Sequence, residues 1–436
     1  MARKLGVLLV SSMLAGCAAA GPGPAAPTPP PAPESTPESA PESAPESVPV
    51  SVTPAAAPPS RPRCSGKAEP GDVNGDGYAD LAFVRTGADW RERAQLVVVH
   101  GSARGLDPAT AYVAGDGAMS GEVPPQFADL DGDGCADVVI PDRSLMIFWG
   151  GRGPAAVLPY GSHSGVADLD GDAAADLLAT TSRPDGTGGR LVRLHGPFTR
   201  SGEPARRSGR PLPEGEWPGR MVTDPYGPDL VVYGPDDGEQ AHAWLLTGED
   251  FREVATGSSA VFGDFDGDGR RDVAIGDSGA RNNEPGMETE DPSVEGITRV
   301  FYGGADREPQ VLDGVRGSLH AGDLTGDGAD DLVSGEVIGM HARVVGGAEI
   351  LTGSPAGVRR PGLSFSHRGP ERGPAGKRLK DWERGSIRTW SVGDHDGDGR
   401  AEVIRVWQGG PGRARFWRVD GAGATLQVFD LAGKGG

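Results

Sequence analysis

Six nine-residue segments of this chain repeat one arrangement of oxygen-bearing side chains: DVNGDGYAD (72–80), DLDGDGCAD (129–137), DLDGDAAAD (168–176), DFDGDGRRD (264–272), DLTGDGADD (323–331) and DHDGDGRAE (394–402). Oxygens recur at positions 1, 3, 5 and 9, while position 7 varies so widely that only its backbone carbonyl can serve. A hard cation such as Ca2+ takes about six to eight oxygens, and a short loop supplies them from alternate residues. The first copy offers Asp72, Asn74, Asp76, Tyr78 and Asp80, and the second Asp129, Asp131, Asp133, Cys135 and Asp137. The third offers Asp168, Asp170, Asp172, Ala174 and Asp176, and the next Asp264, Asp266, Asp268, Arg270 and Asp272. The last two offer Asp323, Thr325, Asp327, Ala329 and Asp331, then Asp394, Asp396, Asp398, Arg400 and Glu402.

Position 6 is Gly in five of the six copies, as a turn with positive φ requires. Ala173 breaks that rule, and Thr325 stands where a carboxylate is usual. Five or six bound Ca2+ are expected, weakest at 168–176 and 323–331. An eroded copy, DPYGPD at 224–229, has lost its inner acids. An EF-hand is excluded, because it needs a Glu at position 12, where these copies carry Phe83, Ile140, Ala179, Ile275, Ser334 and Arg405. The six loops contribute 22 carboxylates as proposed ligands, more than the chain's whole net charge of −20. Folding and ion binding should therefore be coupled.

These loops need elements to hold them. Each is followed by a short apolar run (DLAFV, DVVI, DLLAT, DVAIG, DLVSG, EVIRV), which reads as a strand rather than a helix. A second strand ending in a Gly turn comes next: AQLVVVHG, LMIFWGG, RLVRLHG, HAWLLTG, TRVFYGG, AEILTG and RFWRVDG. The copies, the eroded one included, start 57, 39, 56, 40, 59 and 71 residues apart. With Gly 71, Pro 39 and only 36% hydrophobic residues, the composition suits short strands and tight turns. Seven strand-rich units predict an all-β, seven-bladed β-propeller, whose closure removes sheet edges. Little before Asp72 reads as a strand, so the manner of closure is left open.

From about 66 to 430 the chain resembles FG-GAP repeat proteins and the allied VCBS repeats, as in integrin α-subunit propellers and bacterial secreted proteins. The resemblance implies seven blades with Ca2+ in hairpin loops at their rims. Neighbouring blades would bring Cys64 and Cys135 together, and a disulfide between them is an expectation.

Residues 1–16 combine Arg3 and Lys4 with an apolar run too short to stay in a bilayer, and so read as a secretion signal. Leu14-Ala15-Gly16-Cys17 resembles the lipobox of bacterial lipoproteins, which implies lipidation at Cys17. Residues 17–63, rich in Pro, Ser and Glu, read as a disordered linker, leaving 64–436 for the propeller. The expected location is the outer face of a bacterial membrane, reached through the lipid alone. Net acidity speaks against a nucleic-acid partner.

No G-x-S-x-G, H-E-x-x-H or G-x-x-x-x-G-K motif occurs. His100 and His195 share a repeat position filled elsewhere by Trp149, Thr247, Tyr302 or Thr352, and are read as structural. Two insertions could contact a partner: acidic residues 280–296, and basic residues 366–388 around Trp382. The expectation is a non-catalytic propeller for adhesion or for binding an extracellular protein or glycan. The alternative is an extracellular lyase or hydrolase acting on carbohydrate.

Overall fold

A strand sandwiched between two other sheets must be apolar at every position, not at alternate ones. The runs after the loops have that character, and each lies inside its sheet with both faces covered. The computed structural model describes residues 50–58, 64, 70–85, 93–117, 119, 124–142, 144–150, 154–160, 164–172, 174–182, 189–211, 219–234, 240–247, 250–280, 294–304, 307–335, 345–372, 378–380, 384–409 and 413–432. Their strands form seven sheets, the blades of a β-propeller.

Blade 1 contains Leu81–Arg85, Ala94–Val99 and Tyr112–Gly117; blade 2 contains Gln126–Ala128, Asp137–Pro141, Leu145–Phe148 and Ala156–Leu158. Blade 3 comprises Ser164–Ala167, Asp176–Ser182, Gly189–His195 and Arg206–Pro211, and blade 4 Met221–Thr223, Leu230–Tyr233, Ala241–Thr247 and Asp250–Gly257. Blade 5 is Ser259–Gly263, Asp272–Gly276, Ile297–Phe301 and Gln310–Asp313; blade 6 is Leu319–Gly322, Asp331–Ser334, Val345–Leu351 and Leu363–Arg368. Blade 7 is Ser386–Gly393, Glu402–Gln408, Ala414–Val419 and Thr425–Leu431, with Val50–Val52 added at its outer edge. Within a blade, successive strands pair antiparallel. The first strands of blades 2 to 7 pack against one another in turn around the centre.

Seven hydrophobic clusters fill the seven seams between blades. Alternation along one strand decides which seam each side chain enters. Leu81 and Phe83 meet Trp390, Ile404 and Phe416 of blade 7, whereas Ala82 and Val84 meet Val138, Ile140 and Phe148 of blade 2. Blade 7 does the same: Ile404 and Val406 face blade 1, and Val403 and Trp407 face blade 6. Every blade thus depends on both neighbours, and hydrophobic stabilisation accrues only when the ring is complete.

Closure uses residues assigned above to the linker. Val50–Val52 run parallel to the last strand, with Val50 opposite Phe429 and Val52 opposite Leu431. Ala55 then bonds blade 1, its N–H to Ala111 O and its carbonyl to Val113 N–H, both at 2.8 Å. This strap spans the seam between blades 7 and 1, which Trp390 Nε1 also crosses to donate to Ala82 O at 2.8 Å. Val50–Val52 and Ala55, within the segment read as linker, thus pack onto the propeller. Among the described residues blade 1 has three strands and lacks the innermost one. The basic insertion is also shorter than expected: its ends belong to Leu363–Arg368 and Ser386–Gly393. Cys17, Ala173, residues 281–293 and Trp382 lie outside the described residues.

Cys64 is disulfide-bonded to Cys135, with Cα atoms 4.9 Å apart. The bond fastens the chain entering blade 1 to position 7 of the blade 2 loop. It closes a loop with a sequence separation of 71. Replacing Cys64 by Ser is expected to destabilise the ring by about 2–4 kcal/mol, chiefly by freeing the unfolded chain. Denaturant unfolding of both proteins under non-reducing conditions measures it, and equal midpoints would refute it.

Candidate metal loops

Each loop joins the first two strands of its blade, except in blade 1, where it precedes the first described strand. Its shape is set by the aspartate at position 1, which caps the backbone of the following turn. Asp72 Oδ1 accepts from Gly75 N–H and Oδ2 from Gly77 N–H, both at 2.7 Å. Asp129, Asp323 and Asp394 repeat both bonds. The chain can turn so tightly because Gly75 and Gly77 take φ of 73° and 91°. Glycine at position 4 as well as position 6 is therefore required. Position 4 is Gly in all six copies, a signal that the emphasis on position 6 passed over. Position 5 makes the next link: Asp133 Oδ1 accepts from Cys135 N–H at 3.0 Å, and Asp268 Oδ1 from Arg270 N–H at 2.9 Å.

Position 9 opens the central strand of its blade and is buried. Asp272 Oδ2 accepts from Phe265 N–H at 2.8 Å, while Oδ1 accepts from Gly303 N–H at 2.7 Å. It thus ties the loop to the end of the following hairpin. Asp80, Asp137, Asp176 and Asp331 make the same pair of bonds. The hairpin glycine is needed for close approach: a Cβ on Gly303 would lie 2.1 Å from Arg271 O. Burial pushes these carboxyls up, Asp331 to about 6, Asp272 to about 7 and Asp137 to about 8. Asp80 is raised well above its ordinary value, again by burial first.

The loops also bond to one another around the rim. Position 8 N–H donates to the position 1 carbonyl of the preceding blade: Ala136 to Asp72 at 2.9 Å, Asp330 to Asp264 at 2.7 Å, Ala401 to Asp323 at 2.8 Å, and Ala79 to Asp394 at 3.1 Å.

The structure gathers the acids expected from spacing. Oxygens of Asp129, Asp131 and Asp137 lie within 4.8 Å of one another, as do those of Asp264, Asp266 and Asp272 and those of Asp168, Asp170 and Asp172. Several of these clusters could hold a metal ion. Position 3 gives the test of fit. Asn74 Oδ1, Asp266 Oδ1 and Thr325 Oγ1 are buried and have no hydrogen-bond partner. A buried oxygen without a donor is costly, and one beside two or three carboxylates invites a cation. The donors are all oxygens, which suits a hard ion.

Spacing did not reveal the basic side chains that reach these acids from other strand ends. Arg200 donates to Asp131 and Asp133 at 2.7 Å each, Arg206 to Asp170 at 3.1 Å, and Arg307 to Asp266 at 3.2 Å. Arg418 donates to both Asp396 and Glu402 at 2.6 Å. In the eroded loop Arg271 Nε reaches both oxygens of Asp224, at 3.1 and 3.0 Å. His195 is buried, with Nδ1 2.8 Å from Asp170 and Nε2 2.8 Å from Ser208. Its repeat position thus faces the loop, a role that residue variety alone had hidden.

Residues 63–140, which cover blade 1 and the second loop, match the model of the FG-GAP-like repeat family. No curated protein sequence matches the chain. Among solved structures it is similar to BBS1N from its complex with ARL6DN, at 10% identity over 88% of this chain and 95% of that one, with a TM-score of 0.39. It is also similar to a variant of the Synechocystis apocarotenoid oxygenase, at 9% identity over 83% and 91%, with a TM-score of 0.42. Both likenesses are too distant to bear on site or activity. Residues 63–140 thus carry an FG-GAP-like repeat, and the described strands form a seven-bladed β-propeller with which such repeats are consistent.

Proposed function

We propose that this propeller is secreted, held at the bacterial surface by lipid on Cys17, and loaded with calcium in its rim loops. It presents a rigid face to an extracellular protein or glycan and catalyses no reaction. The FG-GAP propeller fold supports a scaffold of the ligand-binding or adhesion type. The observation that carries the calcium reading is the position-3 oxygen of Asn74, Asp266 and Thr325, buried without a donor beside carboxylates. Calcium in that setting braces the blades. The surface it supports then does the binding.

Elemental analysis of the purified protein, with glycan and protein arrays run in calcium and in chelator, tests this reading. Binding without turnover supports it. Released glycan fragments would instead make the protein an extracellular carbohydrate-active enzyme. For the anchor, Cys17→Ala is expected to abolish fatty-acid labelling and release the protein from the membrane fraction, and unchanged labelling would refute lipidation at that residue.

A further inference from the structure

Charge is distributed among the loops with a regularity that spacing alone does not show. At positions 1, 3, 5 and 9 the loops starting at Asp72 and Asp323 have a neutral residue at position 3 and three carboxylates each; Arg271 reaches the second only at Asp330, position 8, which is not a proposed ligand. The other four have four carboxylates and one paired arginine: Arg200, Arg206, Arg307 or Arg418. Counting only the side chains at positions 1, 3, 5 and 9 and the arginine paired with them, each of the six sites carries a net of three negative charges. The geometry separates these arginines into two kinds.

Arg200 is 46% exposed and grips positions 3 and 5 from outside, leaving the position 9 acid to its backbone donors. Arg206 is 61% exposed, and Arg307 touches only one oxygen of Asp266. Arg418 differs, being 7% exposed and reaching the interior. Its Nη1 lies 2.6 Å from Asp396 Oδ2 and 2.6 Å from Glu402 Oε1, the oxygens of positions 3 and 9. A calcium ion bound to those two atoms would sit at about 2.3–2.6 Å from each, which is where Nη1 already is. Two positive centres cannot share that point.

The site is built around the guanidinium. A Cβ on Gly105 of blade 1, at φ +90°, would lie 2.5 Å from Arg418 Cζ, so the neighbouring blade folds over it with no room to spare. Glu402 also departs from the other position 9 acids in that its Oε1 accepts from Arg418 rather than from a hairpin glycine. The eroded loop shows the same substitution carried further, for Arg271 grips a fully buried Asp224 where the inner acids are gone.

We infer that Arg418 is the permanent cation of the loop at 394–402, which therefore takes no divalent ion, so that the ring binds at most five. This rests on the calcium reading of the remaining loops. The seam between blades 7 and 1 is then held by covalently attached charge and by the strap, independently of calcium.

Calcium stoichiometry of the intact folded protein, by native mass spectrometry with calcium as the only added ligand, tests it. The wild type is expected to bind no more than five ions, and Asp398→Asn to bind as many as the wild type. Asp268→Asn, in the loop at 264–272, is expected to lose one. Arg418→Met, which uncovers four acids, is expected to gain one. Should that variant fail to fold, the comparison of Asp398→Asn with Asp268→Asn still decides. Six ions in the wild type, with one lost in Asp398→Asn, would overturn this inference and leave the calcium reading intact. No bound calcium at all would remove the reading beneath it, and the inference with it.

Discussion

Moving the purified protein from millimolar calcium into chelator is expected to lower its melting temperature by about 10–20 °C. One ion held at a hundred times its dissociation constant contributes about 2.7 kcal/mol, so five contribute about 13 kcal/mol. For a folded unit of this length the unfolding entropy converts 1 kcal/mol to about 1.3 °C. The pH dependence carries a sign that separates this effect from general fragility. Burial raises the carboxyls of Asp331 to about 6, Asp272 to about 7 and Asp137 to about 8, above their values in the unfolded chain. Glu402 is likewise raised to about 8 by burial, despite Arg418. Without calcium the folded ring thus holds protons that the unfolded chain has lost. That contribution is complete below about pH 4 and is lost as the pH rises through 6 to 8. The stripped protein should therefore melt higher at pH 5 than at pH 8, and calcium should rescue it most at pH 8. Melting curves at both pH values, with and without chelator, measure this. A stripped protein that melts higher at pH 8 would refute it.

Asp272→Ala is expected to cost about 3–5 kcal/mol whether or not calcium is present. The side chain is buried and accepts from Phe265 N–H and Gly303 N–H, so its removal leaves two backbone donors without partners. Asp268→Ala in the same loop has a different effect. Asp268 is exposed, and its side chain accepts from the neighbouring Arg270 N–H. Its loss should remove the calcium-linked stability of one loop, about 2–3 kcal/mol, and little in chelator. Denaturant unfolding of both variants in the two buffers distinguishes structural from ion-binding acids. Equal behaviour of the two variants would refute the division of labour drawn between positions 5 and 9.

Local rules explain what could be read from the residues alone. Position 1 caps its own turn, and the central strands are apolar throughout because both faces are covered, so loops and strands appear within a few residues of sequence. The seven hairpins followed for the same reason. What escaped was long-range. Nothing near Val50 announces a strand, because its partner Phe429 lies at the other end of the chain. Arg200 meets its acids in the loop of the preceding blade, and Arg418 meets its own from the neighbouring strand of the same blade, so no spacing rule within the loop reveals either. His195 holds Asp170 of its own loop and Ser208 of the next strand, a bracing contact that no spacing rule predicts.

The strap has a consequence for the order of assembly. The first described strand pairs with the last, so Val50–Val52 must wait until residues 425–431 exist before finding a partner. Six blades can stack progressively as the polypeptide lengthens, but contacts of such great sequence separation form late and slowly. Until then both end blades present bare apolar faces and unpaired backbone, the surfaces most prone to stray association. Nascent chains of this protein should therefore need shelter until the final residues emerge.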